Sequence, residues 1–244
     1  MTTRNLHRFA NPARFMRLAG AALPWCACAT AALFAAGLYL AIFASPPDYQ
    51  QGETVRIMYV HVPAAWMALF VYASIAAASL TALVWRHPLA ELYAKSASPV
   101  GAIFTLLALV TGSLWGQPMW GTWWVWDARL TSVLVLFFLY LGHIALMDAF
   151  DDAARGARAA AILALVGTVN VPVIKFSVDW WHTLHQPASV LRLDGPTIHP
   201  SMLAPLLVMA AAFTSFGALV VILRLETEIA RRRARRLAVE DAGR

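Results

Sequence analysis

The sequence predicts an all-α polytopic membrane protein with six transmembrane helices and a tryptophan-rich segment on its outer face. Three observations carry that expectation. Of 244 residues, 60% are hydrophobic and 13% are charged, against about 25% charge in a water-soluble domain. The apolar residues arrive in long blocks that fill almost the whole chain and leave no room for a soluble domain. Lys and Arg also alternate in density between successive inter-block segments, as in loops on opposite sides of a bilayer.

A spanning helix needs about 20 mostly apolar residues. Candidates fall at 21–44, 62–85, 97–116, 130–147, 158–178 and 201–223, and the chain 1–244 reads as one integral membrane domain. The first block follows Arg4, Arg8, Arg14 and Arg17 like a signal peptide. Its apolar run is too long for an ordinary h-region, so an uncleaved first span is expected. Cys26 and Cys28 lie in this block as C-A-C. That spacing carries no redox signature and suits two buried small apolar residues. The second block is free of charge from Val62 to Trp85. Gly116, Pro118 and Gly121 are expected to end the third span near Trp115. The fourth has 18 residues between Arg129 and Asp148, with His143 inside it. Asn170 and Pro172 interrupt the fifth, and Lys175 lies near its end.

Fifteen of the nineteen Lys and Arg residues fall at the two termini and in segments 86–96 and 148–158. Only Arg56, Arg129, Lys175 and Arg192 fall in the other set. By the positive-inside rule both termini are cytoplasmic. The net charge of +6 does not point to nucleic acid. Much of it sits in Arg231, Arg232, Arg233, Arg235 and Arg236, a juxtamembrane cluster suited to anionic lipid headgroups. The outer segments are then 45–61, 115–129 and 179–200, and the unusual residues share that face.

Five of the ten tryptophans lie in W-G-Q-P-M-W-G-T-W-W-V-W-D-A-R-L-T, Trp115 to Thr131. An aromatic belt explains one or two Trp per span end, as with Trp66 and Trp85, but not Trp115, Trp120, Trp123, Trp124 and Trp126 closed by Asp127 and Arg129. If the stretch is helical, Trp120, Trp123, Trp124 and Asp127 share one face. Such a wall suits a large flat ligand. Asp127 either marks re-entry into the membrane or fixes a loop or a Trp N–H. Arg129 either snorkels or attracts a carboxylate, and Arg56 is a second carboxylate candidate. His61, in Y-V-H-V-P-A-A-W, is expected just before a helix start, and His185 follows W-W-H-T-L-H. Three segments converging on a planar metal complex suggest haem, whose iron takes imidazole as an axial ligand. His182 and His199 share the last outer segment; His7 and His87 face the cytoplasm. His143 is expected to serve no ligand duty. A P-loop, C-x-x-C-H, H-E-x-x-H and a nucleophile elbow are all lacking, so any ATP-driven step needs another subunit.

The tryptophan-rich stretch resembles the "WWD" signature of haem-handling proteins in cytochrome c biogenesis. With V-H-V-P-A-A-W before span 2 and W-W-H-T-L-H-Q-P before span 6, nearly the whole chain resembles the haem exporter protein C (CcmC) family. The resemblance implies a multi-pass protein of the bacterial inner membrane that is not an enzyme. It implies haem b bound as cargo on the periplasmic side, in an ABC-type complex with a CcmA-type ATPase, a CcmB-type membrane subunit and a small CcmD-type protein. Haem would pass to the chaperone CcmE. His61 and His185 match the axial-ligand positions, and Trp115, Trp120, Trp123, Trp124, Trp126 and Asp127 match the aromatic platform. Two other functions fit less well: a haem permease, which needs polar or broken spans, and a b-type redox subunit, which places its His ligands within spans.

Overall fold

A computed structural model describes residues 11–190 and 192–243. Arg4, Arg8, His7 and Arg244, used above in placing charge and histidines, lie outside the described residues. Among the described residues there is no β-strand, and seven α-helices form the chain. They are α1 Pro12–Tyr39, α2 Met58–Trp85, α3 Pro88–Trp120, α4 Ala128–Asp148, α5 Ala153–Gly167, α6 Asn170–Trp180 and α7 Pro200–Ala242. A π-turn Leu40–Ala44 extends α1, and a 3₁₀ turn Glu53–Ile57 leads into α2. Six helical segments are long and apolar enough to cross a membrane, the fifth being α5 and α6 together.

The local chemistry of each helix start is legible. Asn11, His87, Asp127, Asp152 and His199 each accept a backbone N–H of the following turn, and Pro12, Pro88 and Pro200 occupy the first helical position, where no N–H is needed. Two ends differ from expectation. The third helix runs past Gly116 and Pro118 to Trp120 and stops at Gly121, whose φ of 75° is left-handed and whose N–H reaches Gln117 O at 3.0 Å. The stop is thus a glycine C-cap, and the proline inside the last turns does not end the helix. The fifth span breaks at Thr168–Val169, and Asn170 begins α6 with Pro172 in its first turn. There Asn170 Nδ2 donates to Ser132 O on α4 at 2.9 Å.

α2 and α3 form an antiparallel pair joined at Arg86–His87, so the start of α2 lies level with the end of α3. Tyr140 of α4 lies against Gly101 of α3, where a Cβ would collide with its ring, and its hydroxyl donates to Ala68 O of α2 at 2.7 Å. Tyr72 meets the same ring edge-on at 5.2 Å. A Gly101→Val variant is expected to cost about 1–3 kcal/mol by overpacking, read as a lower Tm of the detergent-solubilised protein. Gly20→Ala, where a Cβ meets nothing, is expected to leave Tm unchanged.

At the far end of that pair, charge ties the helices together. Lys95 of α3 bridges to Asp148 of α4 (3.2 Å) and Glu228 of α7 (3.5 Å), and Arg232 of α7 bridges to Glu91 of α3 (2.7 Å). Arg224 Nε donates to Ser96 O at 3.0 Å. His143 is buried and hydrogen-bonded to Ser98 at 2.7 Å. Cys26 and Cys28 are free thiols, but they are partly exposed and exposed on α1, not buried as the sequence suggested.

Candidate functional site

The start of α2, the end of α3, the start of α4 and the segment 181–199 meet at one end of the bundle. His61 stands inside α2, one turn from its start, and not before the helix. Its ring lies 6.5 Å from that of His185, centroid to centroid, at 37°. Trp115 meets His61 edge-on at 5.7 Å, and Trp120 lies 6.4 Å from His185. Residues from three segments thus converge.

The hydrogen bonds assign the tautomer of each imidazole. Thr111 donates its hydroxyl proton to Leu107 O at 2.7 Å, so toward His61 Nδ1, at 3.1 Å, it can only accept. Nδ1 of His61 therefore carries the proton and Nε2 keeps its lone pair. His185 Nδ1 lies 2.9 Å from Gln186 O, a carbonyl that only accepts, so its Nε2 is also a lone-pair donor. Burial pulls the His185 pKa below the usual 6.5; the bond to Gln186 opposes this, the Arg129 charge adds to it and the Asp127 carboxylate opposes it. The net direction favours the neutral ring, the form that metal ligation requires. Gly112 gives His61 its room: a Cβ there would lie 2.9 Å from His61 Cε1.

Asp127 fixes a loop, not an indole. Its Oδ1 caps α4 at Leu130 N (2.7 Å), and its Oδ2 accepts the Thr183 hydroxyl. Thr183 Oγ1 in turn accepts the His185 N–H at 3.0 Å. Arg129 is half-buried, with Nε donating to Ser177 Oγ of α6 at 2.7 Å, within electrostatic reach of both imidazoles. Arg56 is committed elsewhere: it pairs with Glu53 and donates to Ala41 O.

The aromatic residues divide into two groups. Residues 121–127 are not helical, so the one-faced stripe drawn from helical spacing does not form. Trp115 and Trp120, on the last turns of α3, reach the histidines, and Trp115 Nε1 is held by Gln51 Oε1 at 2.9 Å. Trp124 and Trp126 pack edge-on at 5.4 Å, and Trp123 and Trp126 are exposed. Trp124 Nε1 is buried with no acceptor among the described residues. Sequence reasoning missed Thr111, Gly112, Thr183 and Gln51. The available signals were T-G inside an otherwise apolar run and a Thr between two His in W-H-T-L-H.

Comparison with known proteins adds a family. The model of the family described as Heme exporter protein C matches residues 5–240. The chain is 59% identical over 235 residues to a Heme exporter protein C of Bradyrhizobium diazoefficiens, covering 96% of this chain and 89% of that one. It is 46% identical over 226 residues to the Escherichia coli K12 protein of that name, covering 93% and 91%. The Paracoccus denitrificans protein of that name is 45% identical over 239 residues, covering 97% and 98%.

Proposed function

This chain belongs to the Heme exporter protein C family, and on that premise we propose that it binds haem between His61 and His185 and hands it to the chaperone CcmE. The observation that carries this is the imidazole pair. Both rings direct their protons to fixed acceptors and leave Nε2 for a metal. Two imidazoles bound in line on opposite sides of one metal ion, with bonds of about 2.0–2.1 Å and about 1.1 Å from nitrogen to ring centre, put the centroids about 6.3 Å apart. The separation here is 6.5 Å.

The surroundings suit the rest of the cargo. Trp115 and Trp120 offer indole surface beside the ligands. Arg129 brings a guanidinium to the same end of the bundle, suited to a propionate. The orphaned Trp124 N–H gives a second reason to expect an acceptor. A buried donor without a partner is costly, and a carboxylate would satisfy it. Arg56, occupied by Glu53 and Ala41 O, is the weaker propionate partner.

In this proposal the site faces the periplasm and both termini lie in the cytoplasm. The chain is a membrane subunit of an ABC-type complex with CcmA-, CcmB- and CcmD-type partners. It makes and breaks no bond of the porphyrin: its chemistry is ligation, orientation and exposure of one edge. Delivery is tested by mixing the haem-loaded complex with purified CcmE-type chaperone and ATP. Haem is expected to leave the membrane fraction with the chaperone. A complex that keeps its haem through this treatment would overturn delivery and favour a b-type redox subunit, which the helix-borne His61 also permits.

A further inference from the structure

The two imidazoles are held by different means. His61 rides on a 28-residue helix. Its Nδ1 is braced by a side chain of a neighbouring helix, Thr111, itself anchored to Leu107 O. That ring is thus tied to two packed helices, α2 through its backbone and α3 through Thr111. His185 rides on a segment without regular structure, and its Nδ1 is braced only by the carbonyl of the next residue in that segment. Among the described residues, one side-chain hydrogen bond joins residues 182–198 to another element: the Thr183 hydroxyl on Asp127. That hydroxyl is also the acceptor for the His185 N–H. Asp127 is itself fixed, because its other oxygen caps α4.

From this asymmetry we infer that His185 is the displaceable axial ligand, and that Thr183, clamped by Asp127, is the residue that positions it. The chain Leu130 N–Asp127–Thr183–His185 N converts the rigid start of α4 into a defined place for one loop imidazole. Opening the Asp127–Thr183 bond releases the His185 end of the segment, whose Val190 and Ile198 stay packed on the core, withdraws one ligand and leaves haem on His61 with a vacant face. The incoming chaperone, or any imidazole donor, then binds that face. Groups that orient a metal ligand without touching the metal usually alter affinity by about 10- to 100-fold when removed.

This inference rests on the bis-imidazole site proposed above, and the test separates the two. Full-length wild type, Thr183→Val, Thr183→Ser and Thr111→Val are purified with haem, and their ferric absorption and electron paramagnetic resonance spectra are compared. Wild type and Thr183→Ser, which keeps the hydroxyl, are expected to be low-spin and six-coordinate. Thr183→Val is expected to retain haem on His61 in a high-spin, five-coordinate state. Added imidazole should restore its low-spin spectrum, and faster than it exchanges into wild type. A wild type lacking the bis-imidazole spectrum would overturn the ligand pair itself. A low-spin Thr183→Val with wild-type exchange would overturn the positioning role alone. Five-coordinate haem in Thr111→Val but not in Thr183→Val would reverse the assignment and make His61 the displaceable ligand. Should Thr183→Val accumulate poorly, Asp127→Asn serves in its place. It keeps an oxygen for the Leu130 cap and replaces the charged acceptor of the Thr183 proton.

Discussion

Haem absorption is expected to be lost from the purified protein when His61 and His185 are both replaced by alanine, with the chain still inserted in the membrane. Neither side chain holds the bundle together. His61 is half-buried at the end of the helix pair, and His185 lies in a loop, while the packed core is built around Tyr59, Tyr72, Tyr140, Leu136 and Leu206. The effect should therefore fall on ligation and not on folding. Removing both direct ligands is expected to cost more than the roughly 100-fold at which outer-shell changes saturate, enough to strip haem during purification and to stop cytochrome c assembly. Equal spectra in the variant and the wild type would place the iron on other side chains. His143→Ala provides the contrast. Its ring is buried against Ser98 within the bundle, so haem content should be unchanged; loss of haem there would move the site into the membrane core.

Arg129→Leu is expected to show the second largest effect. The guanidinium does two jobs at once. Through Nε it holds Ser177, which passes its own proton to Ile174 O at 2.9 Å and so fixes α6 against α4. An Nη group also reaches Lys175 O at 3.4 Å, and the charge lies within electrostatic reach of both imidazoles. Charge-assisted hydrogen bonds are worth about 1.5–3 kcal/mol, so haem affinity should fall about 10- to 100-fold. Arg129→Lys separates the two jobs. It keeps the charge but not the forked donors, so it should recover part of the affinity while the α4–α6 tie stays weakened. A titration of apoprotein with haem, followed in the Soret band, reads both. An affinity unchanged in Arg129→Leu would remove this residue from the site.

Helix number, and the convergence of His61, His185 and Trp115 at one end of the bundle, were legible because they rest on long-range averages and residue chemistry. Apolar blocks of about 20 residues mean spans whatever their exact packing, and five tryptophans in twelve residues exceed what an interface needs. Local geometry was harder. Gly116 and Pro118 looked like the end of a span, yet α3 carries Pro118 inside its last turns and continues to Trp120, and the stop is the left-handed Gly121. Helical spacing suggested one stripe from Trp120 to Asp127, but that glycine ends the helix and splits the tryptophans between a pair beside the histidines and a group in the following loop, of which Trp123 and Trp126 are exposed. His61 looked like a loop residue because Pro63 follows it. Pro63 instead lies inside α2, its missing N–H tolerated there, and a 3₁₀ turn continuing into α2 carries His61 within the helix. Thr111 and Thr183 were invisible because a threonine's role depends on which carbonyl already takes its proton, which only the assembled fold shows.

The segment bearing His185 is slung between two helices of very different length. On one side is α6, eleven residues long and separated from α5 by a break. On the other is α7, forty-three residues long, which begins at the end of the bundle that carries the histidines and ends in the arginine cluster. At 1.5 Å per residue, α7 is about 64 Å long, twice the roughly 30 Å of a hydrocarbon core. A rod of that length acts as a lever: a tilt of about 5° moves one end by about 5–6 Å relative to the other. Leverage of that size exceeds the reach of a single hydrogen bond. At the arginine end, Lys95–Glu228, Arg232–Glu91 and Arg224–Ser96 O tie that rod to α3, so the same contacts that would feel a force there also set where the histidine-bearing loop ends.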